Sequence, residues 1–86
     1  MASIEEVRAG IRGANDHANA AVGAVTQALD EADSARGMLM NATEGSGQND
    51  VEQAVGQLSQ AVDGLEESRQ RLLAAVSLAE DVAARL

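Results

Sequence analysis

No cysteine, proline, phenylalanine, tryptophan, tyrosine or lysine occurs in this 86-residue chain. The missing cysteines exclude disulfides, thiolate metal sites and thiol redox chemistry, and the missing aromatics remove the platforms on which single-stranded nucleic acids stack. Positive charge is scarce as well. Six arginines stand against fourteen acidic residues for a net charge of −8, which repels phosphate backbones and anionic lipid. Nucleic-acid and membrane partners are therefore not expected. No apolar run approaches the roughly 20 residues that cross a bilayer, and the start Met1-Ala2-Ser3-Ile4-Glu5-Glu6 is acidic where a signal peptide would be basic. The expected location is cytoplasmic, with leaderless secretion left open. A chain this short makes one domain and buries only about 60% of its unfolded surface, so its stability is expected to be marginal.

What is present is a helical period. Ile4, Val7, Ile11, Ala14, Ala18 and Ala21 begin a line of apolar residues in alternating steps of three and four that runs on through Val25, Ala28, Ala32, Ala35 and Leu39 to Ala42. A second line starts at Val51 and Ala54 and continues through Leu58, Ala61, Leu65, Ser68, Leu72, Ala75, Ala79 and Val82 to Leu86. Between them the stretch 41–50 is rich in turn formers and loses the period. Ser3 with Glu6, and Asp50 with Gln53, have the spacing of reciprocal capping boxes, and Gly45 suits a left-handed helix end. These signals predict an all-α protein: a helix over 3–43, a loop over 44–49 and a helix over 50–85, folded back as an antiparallel two-helix, coiled-coil-like hairpin. The segment AVGAVTQALD at 21–30 recurs as AVGQLSQAVD at 54–63, in the same phase of each line.

Two paired helices bury one stripe each, and Gly10, Gly13, Gly23, Gly37, Gly56 and Gly64 fall inside them at a cost of about 0.5–1 kcal/mol apiece. Packing against a further surface is expected to compensate. In helix two the run from Leu72 to Ala79 places apolar groups around nearly the whole circumference, so Leu72, Leu73, Val76, Leu78 and Val82 are candidate interface residues, joined by Met38 and Met40 near the turn, where flexible thioethers suit an adaptable surface. The occupant is either a second copy, giving a four-helix bundle by dimerisation, or a helical protein partner. The line Ala14, Ala21, Ala28 and Ala35 predicts close approach by a neighbouring helix.

No catalytic, cofactor-binding or metal-binding constellation is found, and the chain is not expected to be an enzyme. His17 lacks the partners that a metal ligand or a general base needs. Glu5, Glu6 and Asp16, and likewise Asp63, Glu66 and Glu67, are expected to be solvated carboxylates, with Asp33/Arg36 and Glu67/Arg71 as weak helical ion pairs.

Two resemblances bear on function. Asp33-Ser34-Ala35 in a small acidic helical chain resembles the Asp-Ser pair of acyl carrier proteins, which implies an alternative role with a phosphopantetheine arm on Ser34. A wider one covers almost the whole chain. The small acidic hairpin, with Gly45-Ser46-Gly47-Gln48-Asn49-Asp50-Val51 followed by Ala54, Leu58, Ala61-Val62 and Ala83-Ala84-Arg85-Leu86, is similar to small actinobacterial helical hairpins of the WXG, early-secreted-antigen-like kind, encoded beside polymorphic toxins. The Trp-x-Gly turn and the Tyr-x-x-x-Asp/Glu export signal of that superfamily are absent from these residues. The resemblance implies a non-catalytic interaction module: a homodimer, or a chaperone or adaptor for a larger, toxin-like or secreted partner.

Overall fold

A computed structural model describes residues 2–42 and 49–86. Two helices, α1 (Ile4–Ala42) and α2 (Asn49–Arg85), pack against each other as an antiparallel hairpin 64 Å long and 18 Å across. There is no strand among the described residues. α1 starts one residue after the expected position, and α2 ends at the expected one. Asn49, assigned to the loop, instead opens α2, while residue 43, the rest of the loop and the Gly45 helix end lie outside the described residues.

Capping fixes one of these ends. The Glu6 backbone N–H donates to Ser3 Oγ at 3.1 Å and the Val7 N–H to the Ser3 carbonyl at 3.0 Å, so Ser3 satisfies orphan donors of the first turn of α1. Asp50 does not cap α2. It lies within the first turn beside Glu52, where a negative charge still meets the positive end of the helix dipole.

The seam is offset from the expected one by one residue at every second position, in the same sense on both helices. On α1 the partly buried line is Ile11, Asn15, Ala18, Val22, Val25 and Leu29, continuing to Ala32, Arg36 and Leu39. On α2 it runs from Val51 through Val55, Leu58, Val62, Leu65 and Arg69 to Leu72, Val76, Ala79 and Ala83. Ile11, Ala18, Val25, Ala32 and Leu39 keep their place, as do Val51, Leu58, Leu65, Leu72 and Ala79. Val7, Ala14, Ala28, Ala35, Ala61, Ser68, Ala75 and Val82, expected inside, are exposed, as are Ile4, Ala42 and Leu86 at the helix ends.

Bulk explains the rotation. Turning each helix by one residue exchanges alanines for Val22, Leu29, Val55, Val62 and Val76, and burying a Val or Leu side chain is worth about 1.5–3 kcal/mol. The cost is that Arg36 and Arg69 enter the seam. Both stay partly exposed, and each pairs through Nη2 with the acid three residues before it, Asp33 or Glu66, as long amphipathic side chains at a seam's edge do. Val76, expected to face outward, is instead the one buried side chain among the described residues, 8% exposed.

Candidate interaction faces

With the seam lettered a and d in heptad fashion, Val22 and Val76 are at a, and Val25 and Leu72 are at d. The e positions then flank the seam on one side of each helix and the g positions on the other. Three shallow grooves show how these flanks are arranged in the hairpin. Thr26, Asp33 and Glu66 open onto one of about 350 Å³, Met40 and Glu52 onto a second of about 300 Å³, and Arg12, Asn19 and Glu80 onto a third of about 390 Å³. All eight are e residues, drawn from both helices. The e flanks of α1 and α2 therefore share one broad face, and the g flanks share the opposite one.

The grooved face is polar and cross-linked. Arg36 Nη1 donates to Ser59 Oγ at 3.2 Å across the two helices, while its Nη2 pairs with Asp33. On α2, Arg69 Nη2 donates to Glu66 Oε1 at 2.7 Å. Glu66, expected to be a fully solvated carboxylate, is half-buried, and the Arg69 hydrogen bond holds its carboxyl below the ordinary range. Both pairs sit on the internal repeat, which extends past the segment first noticed. Counted from Ala21 and Ala54, Thr26 corresponds to Ser59, Asp33 to Glu66, Arg36 to Arg69 and Leu39 to Leu72. A hairpin of two such copies has an approximate two-fold axis normal to its plane.

The hydrogen bonding departs from this symmetry. Where Arg36 reaches Ser59, Arg69 lines the groove with Thr26, but the Thr26 hydroxyl donates to the Val22 carbonyl of its own helix at 2.8 Å. Arg69 Nε, shielded from water, has no partner among the described residues. A signal for these contacts was present in the sequence, as an arginine interrupting a heptad line three residues after an acid.

The opposite face is smooth. α1 contributes Val7, Ala14, Ala21, Ala28, Ala35 and Ala42 to it, and α2 contributes Ala54, Ala61, Ser68, Ala75 and Val82. No g position among the described residues carries a charge. Beside it, at position c, stand Met38 and Leu78, 72% and 66% exposed.

The candidate interface residues do not form one patch. Val76 and Leu72 belong to the seam, Met40 and Leu73 lie on the grooved face, and Val82, Met38 and Leu78 belong to the smooth face or its rim. Ser34 is exposed in the interior of α1, whereas in an acyl carrier protein the serine begins a helix. His17 is exposed at the rim of the smooth face. Of the expected ion pairs, Asp33–Arg36 forms and Arg71 Nη2 lies 2.8 Å from Glu67 Oε1. No group of three or more His, Asp or Glu suited to a metal ion occurs among the described residues, and no described helix is long and apolar enough to cross a membrane.

No protein family, curated protein or solved structure matches this chain.

Proposed function

We propose that the hairpin is a non-catalytic protein–protein interaction module that works by packing helix against helix. The observation that carries this reading is its surface. A compact monomer of 8.8 kDa is expected to expose about 4,800 Å², and this chain exposes 6201 Å². Its radius of gyration is 19.3 Å, against about 12 Å for a compact domain of the same length.

The excess, about 1,400 Å², exceeds the roughly 800 Å² that each partner contributes to a standard interface. Exposed Ile4, Met38, Met40, Leu73, Leu78 and Val82 supply apolar anchors for such an interface. A second copy or a larger helical protein would remove the same surface from water, and the family resemblance adds toxin-like or secreted proteins as the partner class.

The test is circular dichroism together with sedimentation equilibrium over a wide dilution series. Helicity that falls on dilution as the oligomer dissociates is expected, because binding to the folded state stabilises it by mass action. A fully helical monomer at every concentration that also captures no partner from its host would overturn the reading.

A further inference from the structure

We propose that the smooth alanine face is the surface on which a second copy of this chain docks, closing a four-helix bundle; the inference rests on the interaction-module reading and assigns it a face and an occupant.

Charge selects the face. The chain carries −8, so two copies repel unless they meet where that charge is absent. Among the described residues the g positions are uncharged, and the c positions beside them hold Glu31 and Asp50 against Arg71 and Arg85, a formal sum of zero. The other described acidic residues lie at b, e and f, on the grooved face or the outer surface. Among the described residues the grooved face with its b rim holds eight carboxylates against Arg8, Arg12, Arg36 and Arg69, a formal sum of −4, and the outer f positions hold Glu6, Glu67 and Asp81 with no arginine, so both repel a second copy more than the smooth face does.

Shape and area agree with this choice. Alanine along both g flanks lets helices approach to the short end of the usual 8–10 Å spacing. The face follows the full 64 Å by 18 Å outline of the hairpin, which is ample for the about 800 Å² per partner of a stable interface. Met38 and Leu78 stand at its edges, where an approaching hairpin would cover them. Small side chains, Ala, Ser or Val, fill every described g position of both helices, so a second copy presents small residues wherever this one does. The charges on the c rims sum to zero, so the rims add no net repulsion.

The experiment is sedimentation equilibrium on the full chain and on Ala28→Glu, Ala61→Glu, Met40→Glu and Leu73→Glu. Ala28 and Ala61 are exposed in the hairpin, so a charge there burdens the dimer and not the fold. Each is expected to raise the dimer dissociation constant at least tenfold, with Met40→Glu and Leu73→Glu near the parent value. Cross-linking gives a second readout that does not depend on a glutamate variant folding. Because the chain has no cysteine, Ala28→Cys treated with a short bis-maleimide should yield covalent dimer at concentrations where Gln27→Cys, on the outer surface, does not. A dimer broken by Met40→Glu or Leu73→Glu and untouched by the alanine variants, or equal cross-linking from both cysteines, overturns the choice of face and leaves the module reading standing. A helical parent chain that remains monomeric but captures a different protein overturns the choice of occupant alone.

Discussion

The two broad faces of this hairpin are built by the same two helices and the same repeat, yet one is grooved, charged and tied by Arg36–Ser59 and Arg69–Glu66, and the other is an uncharged sheet of alanines. The difference arises at the seam. Each helix turns its bulkiest apolar residues toward its neighbour, which carries the arginines to one edge and strands the alanines on the other side. A pair of helices can thus satisfy its own packing and still leave a second apolar surface unspent, without any residue placed there for another purpose.

The most direct way to break this comparison is to exchange charge between seam and face at adjacent residues. Val76→Asp puts an unpaired carboxylate into the most shielded site of the hairpin. It should cost ~3 kcal/mol or more, enough to abolish the helical signal of a small marginal fold. Ala75→Asp, one residue away on the alanine face, should leave a helical chain and weaken only association. Equal loss of helicity from both would return the seam to its unrotated position.

A smaller effect sharpens the same contrast from the other side. Ala28→Leu adds volume at an exposed position of the alanine flank without adding a polar group. In an isolated hairpin the new side chain points to solvent. Between two hairpins it overpacks a close approach, and a loss of about 1–3 kcal/mol in dimer stability is expected. Melting midpoints followed over a concentration series separate the cases: the variant should melt below the parent when concentrated, and the gap should narrow on dilution.

These results also define how much was legible in the residues. Helix bounds, antiparallel pairing and the d half of the seam followed from period and turn signals alone, because Ile11, Val25, Leu39, Leu58 and Leu72 are unambiguous. The a half did not. Scored for regularity, the alanine line has no polar member on α1, whereas the true line includes Asn15 and Arg36 there and Arg69 on α2. What decides is buried volume, and valine and leucine outweigh alanine even when an arginine accompanies them. Exposure at Met38, Met40, Leu73 and Leu78 was foreseen, but their division between two faces needed the rotation to be known, and Val82, which also stood on the expected seam line, is exposed. Val76 was misplaced for that same reason.

The helix-interior glycines should respond alike on both helices. A methyl group added at Gly23 or Gly56, corresponding residues of the repeat, would have nothing within 4 Å. Gly23→Ala and Gly56→Ala should each raise stability by about 0.5–1 kcal/mol through helix propensity alone, with the dimer dissociation constant unchanged or lowered. Urea titration of each variant and of the double variant checks both the size and its additivity.

The smallest expected effect belongs to the grooved face and is read from pH. The Glu66 carboxyl is held below its ordinary range first by the Arg69 hydrogen bond; desolvation opposes this, while the Arg69 charge and the Gln70 amide reinforce it. A carboxyl depressed in the folded state contributes stability that is present above its unfolded pKa, about 4.3, and is lost as pH falls through its folded one. The pair is partly exposed, with side-chain exposures of 35% and 38% for Arg69 and Glu66, so screening keeps the contribution small. Acidification also discharges the whole chain, which changes the melting midpoint for reasons unrelated to Glu66. Comparing the parent with Glu66→Gln removes that common change. The parent should melt above the variant at neutral pH, and the two midpoints should converge as pH falls below the ordinary carboxylate range. A difference that stays constant down to full protonation would mean that Glu66 acts through packing, and that ion pairing does not distinguish the grooved face from the smooth one.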